Sequence, residues 1–387
     1  MDFKEFPEVK RNLGFGCMRL PMIETGGTGK DGKPEKVVDI EQFKEMVDFF
    51  LENGFNYFDT AHVYLNGLSE KAIKTALSSR YPRDRFILTD KLTGSCFNKE
   101  EEIRPLFAEQ LEACGVDYFD FYLMHAQNAK NFEKFKACRA YETAFELKKE
   151  GKVHHVGLSF HDTPQVLDKI LNEYPEIEIV QIQFNYYDYE DPSVQSRGVY
   201  EVARKHGKPL IIMEPVKGGN LVNLPPEAQK IFDELHGGSN ASYAIRFAAG
   251  FDGMRMVLSG MSNMAQMRDN VSFMKDFKPL TETEQNAISR VVDIFRGMDL
   301  IPCTGCSYCI EENKCPMNIQ IPDLFDCMNM KKAFGDANQD RFFNEYYTSG
   351  DKGKPSQCVE CGGCESVCPQ HLPIRDLLKK VAAEFEK

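Results

Sequence analysis

Between Cys303 and Cys368 the chain carries nine of its thirteen cysteines, and eight of the nine fall into two runs with one rhythm. The first reads Cys303-x2-Cys306-x2-Cys309-x5-Cys315-Pro316, the second Cys358-x2-Cys361-x2-Cys364-x3-Cys368-Pro369. Three thiolates at i, i+3 and i+6 reach three corners of one iron–sulfur cube. A fourth, set before proline, lies too far along to close that cube well and serves a second one. The spacing therefore predicts two [4Fe-4S] clusters with crossed ligation. Cys303, Cys306, Cys309 and Cys368 hold one; Cys358, Cys361, Cys364 and Cys315 hold the other. Cys327, the ninth, reads as a buried apolar residue of a helix.

Two other chemistries use dense cysteines. A structural zinc site presents two CxxC pairs, and a third cysteine at the next +3 position has no task there. A disulfide framework belongs to short secreted chains. This chain has 387 residues, and its start, Met1-Asp2-Phe3-Lys4-Glu5-Phe6, has neither a basic n-region nor an apolar h-region. The second run has the spacing of bacterial ferredoxins; the first departs from it by placing five residues before Cys315. Between the runs, Leu324, Phe325, Met328 and Met330 cluster at helical spacing. A small, mostly helical ferredoxin-like module over 301–387 is the expectation.

A chain of this length exceeds one ordinary core, so a second domain is expected over 1–300, with the boundary near Leu300-Ile301-Pro302. The net charge of −12 argues against a nucleic-acid partner, which needs a basic face. No stretch approaches the ~20 apolar residues of a membrane span. Free thiols and cluster ligands point to a reducing cytoplasm.

Residues 1–300 alternate apolar runs with amphipathic stretches. The runs are Leu13–Met18, Asn56–Asp59, Arg85–Lys91, Tyr118–His125, His154–Phe160, Ile179–Asn185, Pro209–Pro215 and Arg255–Gly260. Helical spacing covers Ile40 to Leu51 and about 99–114, 131–150, 164–173, 193–206 and 282–296. Eight strands, each with a return helix, predict an α/β fold: a (β/α)8 TIM barrel. A doubly wound sheet is the runner-up, but Gly14-x-Gly16-x-x-Arg19 lacks the third glycine of a dinucleotide turn. Gly26-Gly27-Thr28-Gly29-Lys30 resembles a phosphate loop on paper. No Ser or Thr follows Lys30, Asp31 would repel phosphate, and the stretch reads as a flexible loop after strand one.

In a barrel the catalytic groups stand at the C-terminal ends of strands. Those positions hold Asp59, Lys91 and His125, with Tyr64 five residues past Asp59. Singly they are a helix cap, a packed ring or a structural histidine. Together, Phe58-Asp59-Thr60-Ala61-x2-Tyr64, Asp90-Lys91 and Leu123-Met124-His125 resemble the aldo/keto reductases. Further matches are Gly157-Leu158-Ser159, Gln181-x3-Asn185 and Ser259-Gly260-Met261 with Asn270. The resemblance spans about residues 10–295, and with the cysteine module it points to the iron–sulfur subgroup of that family.

The resemblance implies a carbonyl reduced, or an alcohol oxidised, with NADPH or NADH. Tyr64 is then the general acid, Lys91 lowers the phenol's pKa, Asp59 aims Lys91, and His125 orients the carbonyl. Ser159 and Gln181 would hold the nicotinamide amide. Gly16, Cys17, Met18, Asp59, Ser259, Gly260, Met261, Gln266 and Asn270 would contact the rest of the cofactor, with Glu214-Pro215-Val216-Lys217 facing the pyrophosphate. Many relatives carry Asn after the matching serine, where this chain has Phe160. Many also grip the 2′-phosphate of NADPH with basic residues where this chain has Gly260 and Gln266; Arg268 is displaced by two positions. His62, Phe97, Asn128, Phe160, His161 and Tyr186 are candidates for the pocket mouth.

A hydride carries two electrons and a cluster passes one, so electron flow between them ordinarily needs a flavin, for which the sequence has no signature. A ferredoxin or flavoprotein partner would resolve this. Two alternatives stay open: a ferredoxin-type carrier with an inactive barrel, and a cluster-dependent reductase that uses no nicotinamide.

Overall fold

A computed structural model describes residues 6–28, 34–192, 194–311, 313, 315–335 and 338–386. Its ten strands are β1 (Leu13–Gly16), β2 (Met22–Thr28), β3 (Pro34–Val38), β4 (Tyr57–Asp59), β5 (Ile87–Leu92), β6 (Phe119–Gln127), β7 (Val153–Phe160), β8 (Ile179–Gln183), β9 (Leu210–Met213) and β10 (Met254–Ser259). Eight of them close a parallel barrel in the order β1-β10-β9-β8-β7-β6-β5-β4. β1 pairs with both β10 and β4, so no edge is left open. Each expected strand is present, and the (β/α)8 reading holds.

The chain divides into two compact units. One gathers Met1–Glu190, Gln195–Pro215 and Ala244–Pro279; the other gathers Asp191–Val194, Val216–Tyr243 and Leu280–Lys387. The second unit thus takes in Val216–Tyr243 and the stretch from Leu280 as well as the cysteine runs. Helix Glu282–Gly297 packs on helix Pro226–Asp233, and Asn220 bonds to the Cys303 carbonyl, which draws both stretches into the second unit.

Inside the barrel, Tyr57, Ile87, Phe121, Leu123, Ile179, Ile211, Met256 and Leu258 form the buried fill, and Phe6 joins them. Phe6 packs edge-on against Phe121 at 5.1 Å and His155 at 4.8 Å, toward the strands' N-terminal ends. That leaves the C-terminal ends for chemistry. Gly157 on β7 marks how tightly the strands lie: a Cβ there would stand 2.6 Å from the Ile179 carbonyl oxygen. Gly157→Ala should therefore lower unfolding free energy by about 1–3 kcal/mol through overpacking. Urea unfolding of the variant beside the parent checks this, and an unchanged midpoint would contradict the β7–β8 register.

Three local expectations need correction. Gly26-Gly27-Thr28 lies in β2, which pairs antiparallel with β3, Met22 opposite Val38 and Ile23 opposite Val37. It is strand rather than loop, because alternating residues find partners ahead; Gly29, Lys30 and Asp31 lie outside the described residues. The helix expected over 131–150 is two, Ala129–Ala137 and Ala140–Lys149, broken where Arg139 takes φ 51°. Helices Leu68–Ile73, Pro226–Asp233, Asn240–Ala249 and Met264–Met274 were not expected. Among the described residues no helix is long and apolar enough to cross a membrane.

In the second unit, helix Ile321–Phe334 lies between the cysteine runs as expected, with Leu324, Phe325 and Met328 buried. Cys327 is buried beside them and its thiol donates to the Gln339 carbonyl at 3.3 Å. Helix Ile374–Phe385 completes this core, with Phe385 stacked on Phe343 at 4.9 Å. Asn329 clamps the start of the first run: its amide donates to the Ile301 carbonyl and accepts from the Ile301 N–H.

Candidate active site and cysteine centre

Asp59 ends β4, Lys91 stands near the end of β5, and His125 near the end of β6. Parallel registry of adjacent strands brings these ends together. The ammonium of Lys91 donates to Asp59 Oδ1 at 2.7 Å, to the Thr60 carbonyl at 2.7 Å and to Tyr64 Oη at 3.2 Å. Tyr64 opens a short turn in which Leu65, Asn66 and Gly67 all take positive φ. Such backbone costs of order 1–3 kcal/mol per non-glycine residue, and here it turns the phenol back over the lysine. The Tyr64 and His125 rings meet edge-on at 6.0 Å. All four expected catalytic residues are thus gathered in one buried cluster.

The electrostatics differ in one respect from the expectation. Burial holds the Tyr64 phenol well above its ordinary pKa; the Asp59 charge adds to this and the Arg19 guanidinium opposes it. The phenol is held protonated, as a proton donor must be, rather than drawn toward phenolate. Burial also raises the Asp59 carboxyl, against the pull of Lys91. Burial, followed by the charge of Lys91, pushes His125 well below the ordinary imidazole value, so it is neutral. Its Nδ1 is hydrogen-bonded to the Thr93 hydroxyl at 2.7 Å.

Beneath the lysine lies a second buried group of acids. Glu70, Asp90 and Cys114 place ligand atoms within 4.8 Å of one another. Burial and Glu70 push the Asp90 carboxyl well up, and its Oδ1 accepts the Lys91 backbone N–H at 2.7 Å. His62 pairs with Glu70 at 3.0 Å.

The residues expected around a nicotinamide share the first unit. Ser159 Oγ accepts the N–H of Ala126 at 2.8 Å, fixing a positive-φ residue directly after His125. Gln181 is buried on β8 with Oε1 lacking any hydrogen-bond partner in the structure. An orphaned buried acceptor of this kind fits the amide N–H of a nicotinamide. Ser259 accepts from Asn270 at 2.7 Å, and Met261 is fully buried. Gly16 faces Asp59 across β1–β4, Cys17 is buried with its N–H on the Asp59 carbonyl, and Met18 is half-buried. Pro215 is buried, and Glu214 takes φ 55° with its carbonyl accepting from Asn185.

Gly260 and Gln266 are exposed, and the Gln266 amide is spent on the Ser262 N–H at 2.7 Å. Arg268 lies over the Phe49 ring at 4.8 Å. Of the mouth candidates, Phe97 belongs to the core instead, fully buried with its ring 5.1 Å from Phe135. Asn128 caps helix Ala129–Ala137, and Tyr186 is buried with its hydroxyl unbonded. Phe160 is buried at the end of β7, where it offers no hydrogen bond. Arg19 escaped the sequence reading. It stands 3.7 Å from Glu214 and bears on Tyr64, and its only sequence sign was its place where a third glycine was sought.

Val216 and Lys217 belong to the second unit, where Lys217 is 3% exposed. It is therefore not a solvated side chain.

In that second unit a cavity is lined by Cys303, Cys306, Cys309 and Cys368, walled by Ile321, Phe325, Leu372 and Ile374. This is the crossed set. Burial pushes the Cys303 thiol up to about 11, while the Gly305 N–H bonded to its sulfur pulls the other way. Burial raises Cys368 too, opposed by N–H groups of Leu372, Gln370 and His371. Apolar walls with backbone donors on sulfur fit an iron–sulfur cube, whose thiolates such donors stabilise. Cys358, Cys361 and Cys364 lie near enough for the first two to raise the Cys364 thiol, with burial the larger cause. Cys315 and Cys358 pack on the same apolar core.

Comparison with known proteins agrees with both halves. The family model of the aldo/keto reductases matches residues 13–293, and that of the 4Fe-4S dicluster domain matches 302–372. An NADH-specific methylglyoxal reductase of Escherichia coli is 27% identical over 229 residues, 54% of this chain and 68% of that protein. An aldo-keto reductase of Bacillus halodurans in its holo form superposes with a TM-score of 0.54 at 24% identity, covering 73% of this chain and 92% of its own. One from Klebsiella pneumoniae in complex with NADPH gives 0.57 at 17% identity, covering 73% and 95%. At these identities the superpositions establish the barrel fold; the match over 13–293 establishes the family. The chain belongs to the aldo/keto reductase family, as an NAD(P)H-dependent oxidoreductase whose barrel is followed by a 4Fe-4S dicluster domain.

Proposed function

We propose that the protein reduces a small carbonyl, or oxidises the matching alcohol, with Tyr64 delivering the proton. The reading is carried by the Lys91 ammonium, which bonds at once to Asp59 and to the Tyr64 hydroxyl. A bound reduced nicotinamide supplies the hydride, and clusters on the cysteines supply single electrons. Tyr64 donates to the carbonyl oxygen, and Lys91 stabilises the charge left on the phenol. Asp59 acts as a positioning residue for Lys91. Neutral His125, its Nδ1 engaged by Thr93, orients the carbonyl through its other nitrogen. Gln181 and Ser159 hold the nicotinamide amide, with Gly16, Cys17, Met18, Glu214, Pro215, Ser259, Gly260, Met261, Gln266 and Asn270 around the remainder.

Two [4Fe-4S] clusters sit on the crossed cysteine sets in a sequence domain over 301–387, after a barrel domain over 1–300. So held, the clusters would supply single electrons suited to a ferredoxin or flavoprotein partner in a reducing cytoplasm. The test is anaerobic. NADH and short aldehydes are mixed with the holoprotein while nicotinamide oxidation and cluster absorbance are followed separately. Aldehyde-dependent oxidation of NADH is expected. Aldehyde reduced only at the expense of reduced clusters, with NADH inert, would overturn the hydride reading.

The exposed Gly260 and Gln266 leave the 2′-phosphate of NADPH without a charge-assisted partner, and each such bond contributes roughly 1.5–3 kcal/mol. NADH should then bind at least as tightly as NADPH in a fluorescence titration. A preference for NADPH of roughly a hundredfold, abolished by Arg268→Ala, would show that Arg268 leaves the Phe49 ring to grip the phosphate.

A further inference from the structure

Tyr64 stands on a turn in which Leu65, Asn66 and Gly67 take φ 52°, 53° and 81°. Two non-glycine residues in that region persist only where their surroundings over-determine them. Here two side-chain pairs tie the entry of the turn to its exit. The Thr60 and Ser69 hydroxyls bond at 2.7 Å. Beside them His62 Nδ1 meets both oxygens of Glu70, at 3.2 and 3.0 Å. Glu70 lies on helix Leu68–Ile73 with its side chain 1% exposed, while His62, at 30%, reaches solvent. Behind Glu70 stand the Asp90 carboxyl and the Cys114 thiol, one polar atom from each of the three lying within 4.8 Å of the others. Cys114 donates to Asp90 Oδ2 at 3.7 Å, and Asp90 Oδ1 accepts the backbone N–H of Lys91 at 2.7 Å.

Two carboxyl groups buried in such contact cannot both be charged, so one proton stays between them. Burial, followed by the charge of Glu70, pushes the Asp90 carboxyl well up, and Asp90 keeps that proton. Glu70 is thereby left to His62. The Lys91 ammonium is spent elsewhere, on Asp59, Thr60 and Tyr64. We propose that His62 and Glu70 are positioning residues for Tyr64: their ion pair closes the strained turn, and Asp90 ties that pair to the strand carrying Lys91. This rests on the reading of Tyr64 as proton donor. The clasp depends on the His62 charge. Its hydrogen bond to Glu70 raises the imidazole above the ordinary value, against the opposing effect of burial, and Glu109 adds to the rise. Facing Glu70 are Asp90 and Lys91 of β5, Cys114 of helix Ile103–Cys114 and Tyr122 of β6. The His62 charge is therefore fully present below the ordinary imidazole value and is lost as pH rises through the raised one.

The test is a pH profile of aldehyde reduction by the anaerobic holoprotein at saturating NADH, beside a proton NMR titration of His62. The parent rate should fall about tenfold on the alkaline side as His62 loses its proton, the worth of one charge-assisted hydrogen bond. His62→Gln should be slower by about the same factor at neutral pH, flat through that step, with NADH affinity kept. His62→Lys places a cation that holds its proton to higher pH; it should recover most of the rate and carry it further into alkali. In Glu70→Gln the His62 titration should drop toward the ordinary imidazole value. If that buried substitution does not fold, the two changes at the half-buried His62 decide. An active parent whose profile is unmoved by either His62 change would overturn the clasp and leave Tyr64 as the donor. A His62 signal that titrates identically in parent and Glu70→Gln would overturn it without reference to activity. A parent that reduces no aldehyde at any pH would overturn the proton-donor reading itself.

Discussion

Tyr64→Phe should lower carbonyl reduction by about 10²–10⁴-fold, the usual share of a positioned acid, while nicotinamide binding survives. The substitution removes only the hydroxyl that the Lys91 ammonium contacts at 3.2 Å, and the ring keeps its edge-on place beside His125. Steady-state rates at saturating cofactor, with cofactor titration as control, separate lost chemistry from lost binding. Unchanged turnover would mean that the proton comes from another group, even though the fold is right. Lys91→Met should impair the rate comparably, but it carries a structural cost the tyrosine change does not. Lys91 and Asp59 form an ion pair at 1% and 3% side-chain exposure. Breaking such a pair leaves a buried carboxylate uncompensated, a loss of about 3–5 kcal/mol. The phenylalanine variant is therefore the cleaner probe of the proton.

The barrel was legible because each strand is a short apolar run, and three of the four expected site residues, Asp59, Lys91 and His125, stand at or near the end of one. Asp59, Lys91 and His125 needed only the rule that parallel strands align their C-terminal ends. Tyr64 came from the resemblance, since nothing local announces that Leu65 and Asn66 will adopt positive φ. The hairpin β2–β3 was hidden for a different reason. A glycine-rich strand carries almost no intrinsic signal, and its pairing with Lys36, Val37 and Val38 is a tertiary fact. Phe97 illustrates the limit for aromatic residues: its place in the order of loops suggested a pocket mouth, but Phe135 packs against it. Lys217 illustrates the limit for charge. Its burial to 3% exposure is a tertiary fact that its neighbours in sequence do not announce. The cysteine spacing, by contrast, carried its own geometry, and the cavity lined by Cys303, Cys306, Cys309 and Cys368 follows it.

Crossed ligation makes a sharp prediction for iron content. Anaerobically purified parent should hold about eight iron atoms per chain, two cubes of four. Cys303→Ser and Cys358→Ser should each bring this to about four by damaging different clusters. The informative variant is the double change Cys303→Ser with Cys368→Ser. In the crossed arrangement both residues serve one cube, so the double should retain about four iron atoms, no fewer than Cys303→Ser alone. In an uncrossed arrangement Cys368 belongs with Cys358, Cys361 and Cys364, and the double should fall toward zero. Non-additivity of this kind is the mark of two groups acting on one object. The cavity favours the crossed outcome, because Cys368 lines it with the first run and receives N–H groups from Gln370, His371 and Leu372 on its sulfur. Equal iron loss from Cys368→Ser and Cys358→Ser, with identical residual spectra, would reject the crossing. Stoichiometric zinc without iron in the anaerobic parent would reject the clusters altogether.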